Sequence, residues 1–428
     1  MADQTDQSTD QNPPELDVLI VGAGPAGSAT AIRYLKNASH LKVGLVDKSD
    51  FPRDKACGDG LGPGVVSVLN SLEIDFAEIP SVHPVHYAEV HGIGGISFST
   101  GLEEANLDAS HGLTVRRQEF DDFLRQKAID RGALWLSEHR FVSYELKGNM
   151  LQVHLHNQQT DQNFITTCQL LVGADGASSR VRRQAGISPS SSKRTGIGIR
   201  AYTKIPTEWT DRIIISYEEQ LLPGYGWCFP FSNGTANVGC GMVVKDYQQL
   251  RPDLKELLAQ YLEILADRGL QCSEPTDHSI HILPSGVLPK LIAERIALVG
   301  DAASMINPLS GEGIVYGMTA GMLLADSTTK ALLKKDSSDT ETSSDTETLH
   351  LALRRYEKQF RSRYSAHFRS TYLAQRMLRS KTWTHIFLKG ASNDHKTRGA
   401  GIDLMFGDGR ITPYSSARAI WKAIMQKP

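Results

Sequence analysis

The chain has 428 residues, of which 40% are hydrophobic and 22% are charged, and its formal net charge is −2 at pH 7. These values describe an ordinary globular protein with two or three domains. A net charge this close to zero gives no indication that the protein binds nucleic acid. The five cysteines never lie closer than twelve residues apart, which excludes a CxxC pair and favours reduced thiols.

The N-terminal segment, MADQTDQSTDQNPP, is polar and carries neither a basic start nor an apolar run. We therefore expect residues 1–14 to be a disordered tail and not a signal peptide. Nowhere in the sequence do about eighteen apolar residues follow one another, so no transmembrane helix is expected. Together with the reduced thiols, these features predict a cytoplasmic protein.

Residues 16–47 have the pattern of a βαβ unit, in which an apolar LDVLIV strand meets a glycine-rich turn and a helix. Gly22 permits the tight turn, and Gly24 lets the backbone approach a pyrophosphate at the helix N-terminus. Asp47 would accept hydrogen bonds from ribose hydroxyls. The residues predicted to bind a dinucleotide here are Gly22, Gly24, Pro25, Ala26, Gly27, Asp47 and Lys48.

Strand–turn–helix patterns recur near positions 173 and 300, and glycine-rich alternating segments between them predict antiparallel strands. The recurrence predicts one nucleotide-binding domain assembled from the separated segments 15–83, 107–190 and 277–333. The alternating segments predict an inserted substrate domain at 84–106 and 191–276.

The last part of the chain has two unusual compositional features. Residues 337–348 repeat SSDTET in tandem, so 334–348 is predicted to be a flexible loop before a helical region at 349–428. Residues 351–400 contain twelve Lys or Arg against two acids. Solvated basic helix faces account for this surplus. The sharper alternative is peripheral contact with anionic lipid or with an acidic protein.

The segments VGADGASSRVRR (172–183) and LVGDAASMINPLSGEGIVYGM (298–318) resemble the later signatures of flavoprotein hydroxylase-like enzymes. The resemblance implies FAD, with Asp301 at its ribityl or pyrophosphate part and the 308–313 turn against the isoalloxazine ring. Backbone N–H groups of that turn would stabilise negative charge on the reduced ring. A further segment, VRRQEFDDFL (115–124), matches the family at Arg117, next to the cofactor. The FAD-binding residues implied by the two signatures are Asp175, Gly300, Asp301, Pro308, Gly311, Gly313 and Ile314.

FPRDKACGDGLGP (51–63) and PGYGWCFPFSNGTANVGCGM (223–242) resemble the active-site loop and the YxWxFP signature of the geranylgeranyl reductase branch. The CGDG form is most similar to bacterial members that reduce the prenyl tail of a quinone. The branch implies an α/β fold: an interrupted Rossmann-type FAD domain of the glutathione-reductase/hydroxylase-like kind, an inserted antiparallel β-sheet and a C-terminal helical region. The residues it implies are Arg53, Cys57 and Gly58 at the cofactor, and Cys57, Tyr225 and Trp227 in catalysis.

The resemblance predicts a reductase that saturates double bonds of an isoprenoid: a prenyl diphosphate, a prenyl lipid or a prenylquinone tail. Cys57 could donate the proton that accompanies the hydride, with Arg53 and Lys55 acting on it electrostatically. The structural alternative is a small cysteine that packs the loop. Tyr225 and Trp227 share one strand face, either as an aromatic pocket floor or as ordinary core.

Other classes remain as alternatives. A monooxygenase acting on an aromatic or polyketide substrate uses the same fold, and a non-catalytic flavin-binding protein is a third hypothesis. A halogenase is disfavoured because no lysine lies between Lys55 and Lys127 and WxWxIP is missing. P-loop, GxSxG and HExxH motifs are missing too, and the loosely grouped histidines predict no metal site. The sequence has one dinucleotide-binding fingerprint, at Gly22 to Gly27, and FAD occupies it. The electrons must therefore come from NAD(P)H bound transiently or from a reduced protein donor.

Overall fold

The computed structural model describes residues 15–79, 81–104, 109–189, 194–334, 343–412 and 418. The tail expected at 1–14 and most of the predicted loop, 335–342, lie outside these ranges. No helix within them combines the length and the hydrophobicity needed to cross a membrane.

Strands and helices alternate through the first part of the chain. Its elements are β1 (Leu16–Val21), α1 (Pro25–Asn37), β2 (Val43–Val46), β3 (Gly60–Leu61), α2 (Pro63–Ser71), β4 (His83–Val85), β5 (Tyr87–Gly92), β6 (Ser97–Gly101), β7 (Gly112–Thr114) and α3 (Arg117–Asp130).

The middle of the chain is mainly strand. Its elements are β8 (Leu134–Leu136), β9 (His139–Lys147), β10 (Met150–Asn157), β11 (Gln162–Gly173), α4 (Arg180–Gln184), β12 (Thr195–Lys204), β13 (Arg212–Tyr217), β14 (Tyr225–Pro230), β15 (Thr235–Val243), α5 (Val244–Leu250), α6 (Leu254–Asp267) and β16 (Thr276–Pro284). The rest of the described chain is mainly helical. Its elements are β17 (Ile292–Ala293), β18 (Ile296–Leu298), α7 (Ile314–Leu332), α8 (Ser343–Met377), α9 (Lys381–Asn393) and α10 (His395–Phe406).

The nucleotide-binding domain is built on an eight-stranded sheet with the order β17-β18-β11-β1-β2-β8, extended by the antiparallel strands β10 and β9. Strand β1 lies at its centre and runs parallel to both β11 and β2, with Leu19 opposite Leu171 and Gly44. Its residues from Val18 to Val21 are all apolar and buried, as expected for a strand whose sheet is covered on both faces. The carboxyl ends of β1, β11 and β18 therefore meet at one edge, where the three predicted glycine turns begin.

The substrate domain is a seven-stranded sheet with the order β16-β12-β15-β14-β13-β5-β6. Its pairs are antiparallel except for β13 with β5. Helix α6 packs on one side, where Leu258 and Tyr261 join a buried cluster with Val238. The strands β5 and β13 instead contact α9 and α10, through Leu388 and Ile402. The inserted antiparallel sheet was predicted correctly.

Two predicted boundaries are wrong. Residues 277–284 belong to β16, which pairs with β12 in the substrate sheet, so the return to the nucleotide-binding domain comes after Pro284. Alternation in HSIHIL fits an edge strand that satisfies the free side of β12. Helix α8 begins at Ser343, so the second SSDTET copy lies in a helix and not in a loop. Acidic residues in the first turns of a helix are favoured by its dipole.

Close packing between β14 and α6 gives a test of this fold. A Cβ at Gly226 would lie 2.7 Å from the ring of Tyr261, which is fully buried and hydrogen-bonded to Ser216 at 3.1 Å. We expect Gly226→Ala to lower the free energy of unfolding by about 1–3 kcal/mol through overpacking. Gly401→Ala in α10, where a Cβ meets nothing within 4 Å, is the control and should gain about 0.5–1 kcal/mol. Equal stability of the two variants in urea unfolding would contradict the packing described.

Candidate active site

A cleft, called here the central cleft, opens between the two large sheets at the carboxyl ends of β1, β11 and β18. The nucleotide-binding domain contributes the turns after these strands. The substrate domain contributes the inner faces of β12, β14 and β16, and the loop between β2 and β3 crosses between them. Ligands bind at such an edge in open α/β sheets because strand ends and helix N-termini converge there.

The residues predicted to bind the cofactor or to act in catalysis divide into two groups. Those that line the central cleft are Gly24, Pro25, Ala26, Cys57, Gly58, Arg117, Tyr225, Trp227, Gly300, Asp301, Gly311, Gly313 and Ile314. Those outside its lining are Gly22, Gly27, Asp47, Lys48, Arg53, Asp175 and Pro308.

The first glycine turn fits a dinucleotide. Gly22 has φ 109°, and a Cβ there would lie 2.2 Å from the carbonyl oxygen of Ala174, so only glycine is tolerated. At Gly24 the nearest atoms to such a Cβ are 3.7 and 3.8 Å away, which leaves the N-terminus of α1 open to the cleft. A pyrophosphate can therefore approach the backbone N–H groups closely.

The acidic residues expected at the cofactor have different local partners. Asp47, at the end of β2, accepts hydrogen bonds from the backbone N–H of Ala23 at 2.9 Å and of Ser49 at 3.0 Å. Asp175 instead caps α4 by accepting from the N–H of Arg180 at 2.6 Å, and its Oδ1 has no partner among the described residues. Burial raises the pKa of Asp175. Lys48 is exposed to solvent.

The lysine and arginine of the loop are paired with carboxylates. Arg53 lies 3.3 Å from Asp121 and 3.7 Å from Asp47. Lys55 lies 3.0 Å from Asp301. Burial opposes ionisation of Asp301, but Lys55 lowers the pKa of that carboxyl below its ordinary value. These two cations therefore fix the loop to the nucleotide-binding domain.

A third cation, Arg117, lines the central cleft together with Cys57. Its side chain is 4% exposed and donates two hydrogen bonds to Asp121, at 2.6 and 2.7 Å. Burial alone would lower the pKa of Arg117, but Asp121 and Cys57 raise it well above its ordinary value. Sequence spacing had suggested Arg53 and Lys55 as the partners of the thiol. The action of Arg53 and Lys55 on the thiol stays a prediction.

Asn237, on β15, holds the loop against the substrate sheet. Its Nδ2 donates to the carbonyl oxygen of Cys57 at 2.8 Å and to Asp59 at 2.9 Å. Its Oδ1 accepts from the indole N–H of Trp227 at 2.9 Å. A Cβ at Gly60 would lie 2.7 Å from the Phe229 ring, so glycine is needed for this close approach. The thiol and the aromatic strand are thus held as one unit.

Asp59 is the buried centre of this contact. Besides the Asn237 amide, it accepts hydrogen bonds from the Tyr202 hydroxyl at 2.8 Å and from the backbone N–H of Arg117 at 3.2 Å. Burial raises the pKa of Asp59 to about 6, although the hydrogen bonds from Asn237 and Tyr202 oppose the shift. Sequence reasoning missed all three side chains of this network. An acid between two glycines in CGDG was the one available signal.

The predicted aromatic floor is formed by β14. Tyr225, Trp227 and Phe229 all line the central cleft, and the rings of Tyr225 and Trp227 lie 6.0 Å apart. The Tyr225 hydroxyl donates to the carbonyl oxygen of Ser310. The period of two thus places three rings on the cleft side, next to the turn before α7.

Glu312, in the same turn, is a second carboxyl that sequence reasoning missed. Its Oε1 accepts from the backbone N–H of Gly62 at 3.2 Å, and its Oε2 is shielded from solvent without a partner among the described residues. Burial raises the pKa of Glu312 to about 8. The neutral acid therefore predominates at pH 7.

This shift predicts how stability depends on pH. Because the folded protein raises the pKa of Glu312 from 4.5 to about 8, the acid's contribution is complete below pH 4.5 and is lost as the pH rises through 8. We expect Glu312→Gln to remove this loss, so that its stability relative to the wild type rises by about 2–3 kcal/mol between pH 6 and 9. Urea unfolding of the full-length protein measures it, with the exposed Glu263→Gln as control. Parallel pH profiles of wild type and Glu312→Gln would contradict the prediction.

The FAD binding domain family matches residues 15–350. A menaquinone reductase of Mycolicibacterium smegmatis is 35% identical over 321 residues, which cover 72% of this chain and 75% of that protein. A digeranylgeranylglycerophospholipid reductase of Methanocaldococcus jannaschii is 26% identical over 375 residues, which cover 84% and 87%.

Among solved structures, a geranylgeranyl bacteriochlorophyll reductase-like protein of Thermoplasma acidophilum has the same fold, with a TM-score of 0.76 at 20% identity over 96% of both chains. The predicted fold class and the FAD cofactor are confirmed by these matches. The chain belongs to the FAD-binding family and, within it, to the geranylgeranyl reductase group of FAD-dependent oxidoreductases.

Proposed function

We propose that the protein saturates carbon–carbon double bonds in the tail of a prenyl lipid, with a prenylquinone as the leading substrate. The observation that carries this proposal is the position of Cys57, which borders the central cleft together with the aromatic strand β14 and the turn before α7. The names of the two reductases related to this chain support the substrate class.

A second cavity, called here the apolar cavity, adjoins the central cleft. It has a volume of about 340 Å³ and lies between the substrate sheet and helices α8, α9 and α10. Its wall includes Val90, Phe98, Leu309, Ala374, Phe387, Leu388 and Ile402. Met405 lines both spaces. An isoprenoid offers little except shape and apolar surface, so a cavity of this kind suits it.

The proposed reaction adds a hydride to one alkene carbon and a proton to the other. Reduced FAD supplies the hydride when it is bound. The proton requires a donor in the cleft whose hydrogen is not already committed. The Tyr225 hydroxyl donates to the Ser310 carbonyl, and the Trp227 N–H donates to Asn237. Among the three residues predicted to act in catalysis, we therefore assign the proton to the Cys57 thiol and give the two rings the role of an apolar floor that excludes water. Glu312, which also lines the central cleft and is neutral at pH 7, is a second protonated group there.

Electrons and substrate reach the protein from outside. The electron donor is proposed to be NAD(P)H or a reduced protein. The proposed contact with a membrane surface is helix α9, where Trp383 is 38% exposed and its ring lies 6.1 Å from that of Phe387 on the wall of the apolar cavity. Lys381, which is exposed and paired with Glu219, and Lys389 on the same helix carry positive charge of the kind that anionic lipid headgroups attract.

The proton assignment predicts the behaviour of Cys57→Ala. With photoreduced FAD and a prenylated naphthoquinone under anaerobic conditions, the wild type should add two hydrogens per saturated double bond, measured by mass spectrometry. We expect the variant to bind FAD normally and to lose about 100-fold or more in rate, because general-acid catalysis contributes at least this much. Cys272→Ala, which removes a partly buried cysteine outside the cleft, should keep the wild-type rate.

Full activity of Cys57→Ala would contradict the proton assignment and show that the cysteine only packs the loop. A phenolic substrate that accelerates both flavin reduction and oxygen uptake would instead identify a monooxygenase.

A further inference from the structure

Two buried hydroxyl groups on residues of the apolar cavity wall have no hydrogen-bond partner among the described residues. Tyr217 is 5% exposed and Thr100 is 3% exposed, and both line this cavity. The described part of the chain offers no partner within hydrogen-bond distance to either the Tyr217 hydroxyl or the Thr100 Oγ1. A buried hydroxyl without a partner is unfavourable, so such groups are usually satisfied by water or by a ligand.

Both hydroxyls lie on the same face of the substrate sheet. Thr100 on β6 stands opposite Ala88 of β5, and Tyr217 on β13 stands opposite Gly92 of the same strand. Positions 88 and 92 of β5 differ by an even number, so the side chains of their partners point to one side. Val90, between them, also lines the cavity. The part of the cavity wall that the substrate sheet forms therefore has two separate neutral polar points among apolar side chains.

Tyr217 contrasts with its neighbour Tyr225. The two rings lie 5.7 Å apart, but Tyr225 faces the central cleft and donates its hydrogen to Ser310. Tyr217 faces the apolar cavity and keeps its donor available. Burial, followed by the proximity of Tyr225, raises the pKa of Tyr217, so its hydroxyl stays protonated at physiological pH. Tyr217 can therefore act as a hydrogen-bond donor to a ligand in the cavity.

Three cations also line the cavity, namely Lys396, Arg398 and Arg418, and two of them interact mainly with the protein itself. Arg398 donates to the carbonyl oxygens of Ala391 and Ser392, each at 3.2 Å. Arg418 is paired with Asp394 at 2.7 Å. A diphosphate needs several uncommitted cations or backbone N–H groups that converge on it. The two neutral hydroxyls on the sheet side of the cavity instead suit uncharged oxygen acceptors.

We propose that the apolar cavity binds the uncharged ring of a prenylquinone, whose carbonyl oxygens accept hydrogen bonds from Tyr217 and Thr100. The prenyl tail then passes Met405, which lines both spaces, and brings a double bond into the central cleft. This assignment rests on the proposed function and sharpens it, because it places the head group in the apolar cavity. A purely hydrocarbon tail in that cavity would leave both hydroxyls without partners.

The test compares two ligands that differ only in the oxygens. One is a 1,4-naphthoquinone that carries a geranylgeranyl chain, and the other is the naphthalene analogue without carbonyl groups. Binding to the full-length, FAD-loaded protein is measured by calorimetry for the wild type, Tyr217→Phe, Thr100→Val and the double variant. Neither substitution removes a hydrogen bond within the described protein, so we expect all three variants to fold.

We expect each single variant to bind the quinone about fivefold more weakly and the double variant roughly 20-fold more weakly, from the net strength of one and two hydrogen bonds. The naphthalene analogue should bind all four proteins equally. Thr166→Val is the matched control, because Thr166 is a buried threonine on β11 whose hydroxyl also has no partner in the described chain. This variant should bind both ligands as the wild type does.

Equal losses for both ligands, or wild-type affinity in Tyr217→Phe and Thr100→Val, would overturn the assignment of the cavity. So would geranylgeranyl diphosphate that binds more tightly than the quinone and is weakened by the same variants. Quinone binding that depends on both hydroxyls, with no saturation of the tail, would sustain the head-group site and refute the proposed reaction. Saturation of the tail without any dependence on the hydroxyls would sustain the proposed reaction and refute the head-group site.

Discussion

The site depends on one buried carboxylate, Asp59, which joins three parts of the chain. Its donors come from β12 through Tyr202, from β15 through Asn237 and from the start of α3 through the N–H of Arg117. Every donor would be left unsatisfied in a buried place if this acceptor were lost, so the contact is costly to break. The loop with Cys57 consequently keeps a fixed position between the two domains.

The turn before α7 is fixed in a similar way from the opposite side. Asn307 accepts from the N–H of Leu309 at 2.9 Å and donates to the carbonyl oxygen of Leu404 at 2.9 Å. The Ser310 hydroxyl donates to the carbonyl oxygen of Met405 at 2.8 Å. The end of α10 is thus hydrogen-bonded to the turn that borders the central cleft. The C-terminal helices are part of the site, since they set both the turn and the wall of the apolar cavity.

Sequence patterns predicted what short stretches of chain encode. The glycine turn at Gly22 follows from local sterics, and the face of β14 that carries Tyr225 and Trp227 follows from a period of two. The contact between Asn237 and Asp59 joins residues 178 positions apart, and no local pattern specifies it. The pairing of β16 with β12 depends on a neighbouring strand in the same way, which explains why that boundary was misplaced.

The C-terminal helices show the same limit, because they carry no motif and their role comes from what they cover. Met405 had no signal in the sequence, yet it borders both spaces. Basic composition indicated only that a surface of this region is charged. Amphipathic helices are encoded by their own residues, whereas the choice of partner face is decided by the whole fold.

The central cleft and the apolar cavity differ in whether their polar hydrogens already have acceptors in the protein. In the central cleft, the donors of Tyr225 and Trp227 are used by the protein, so of the three residues predicted to act in catalysis the Cys57 thiol is the proposed proton source. In the apolar cavity, the hydroxyls of Tyr217 and Thr100 are not used by the described chain. An alkene offers no group for recognition, so specificity has to come from the oxygen-bearing end of the same molecule. A dry reaction space and a polar recognition point can then coexist, because one chain of isoprene units connects them.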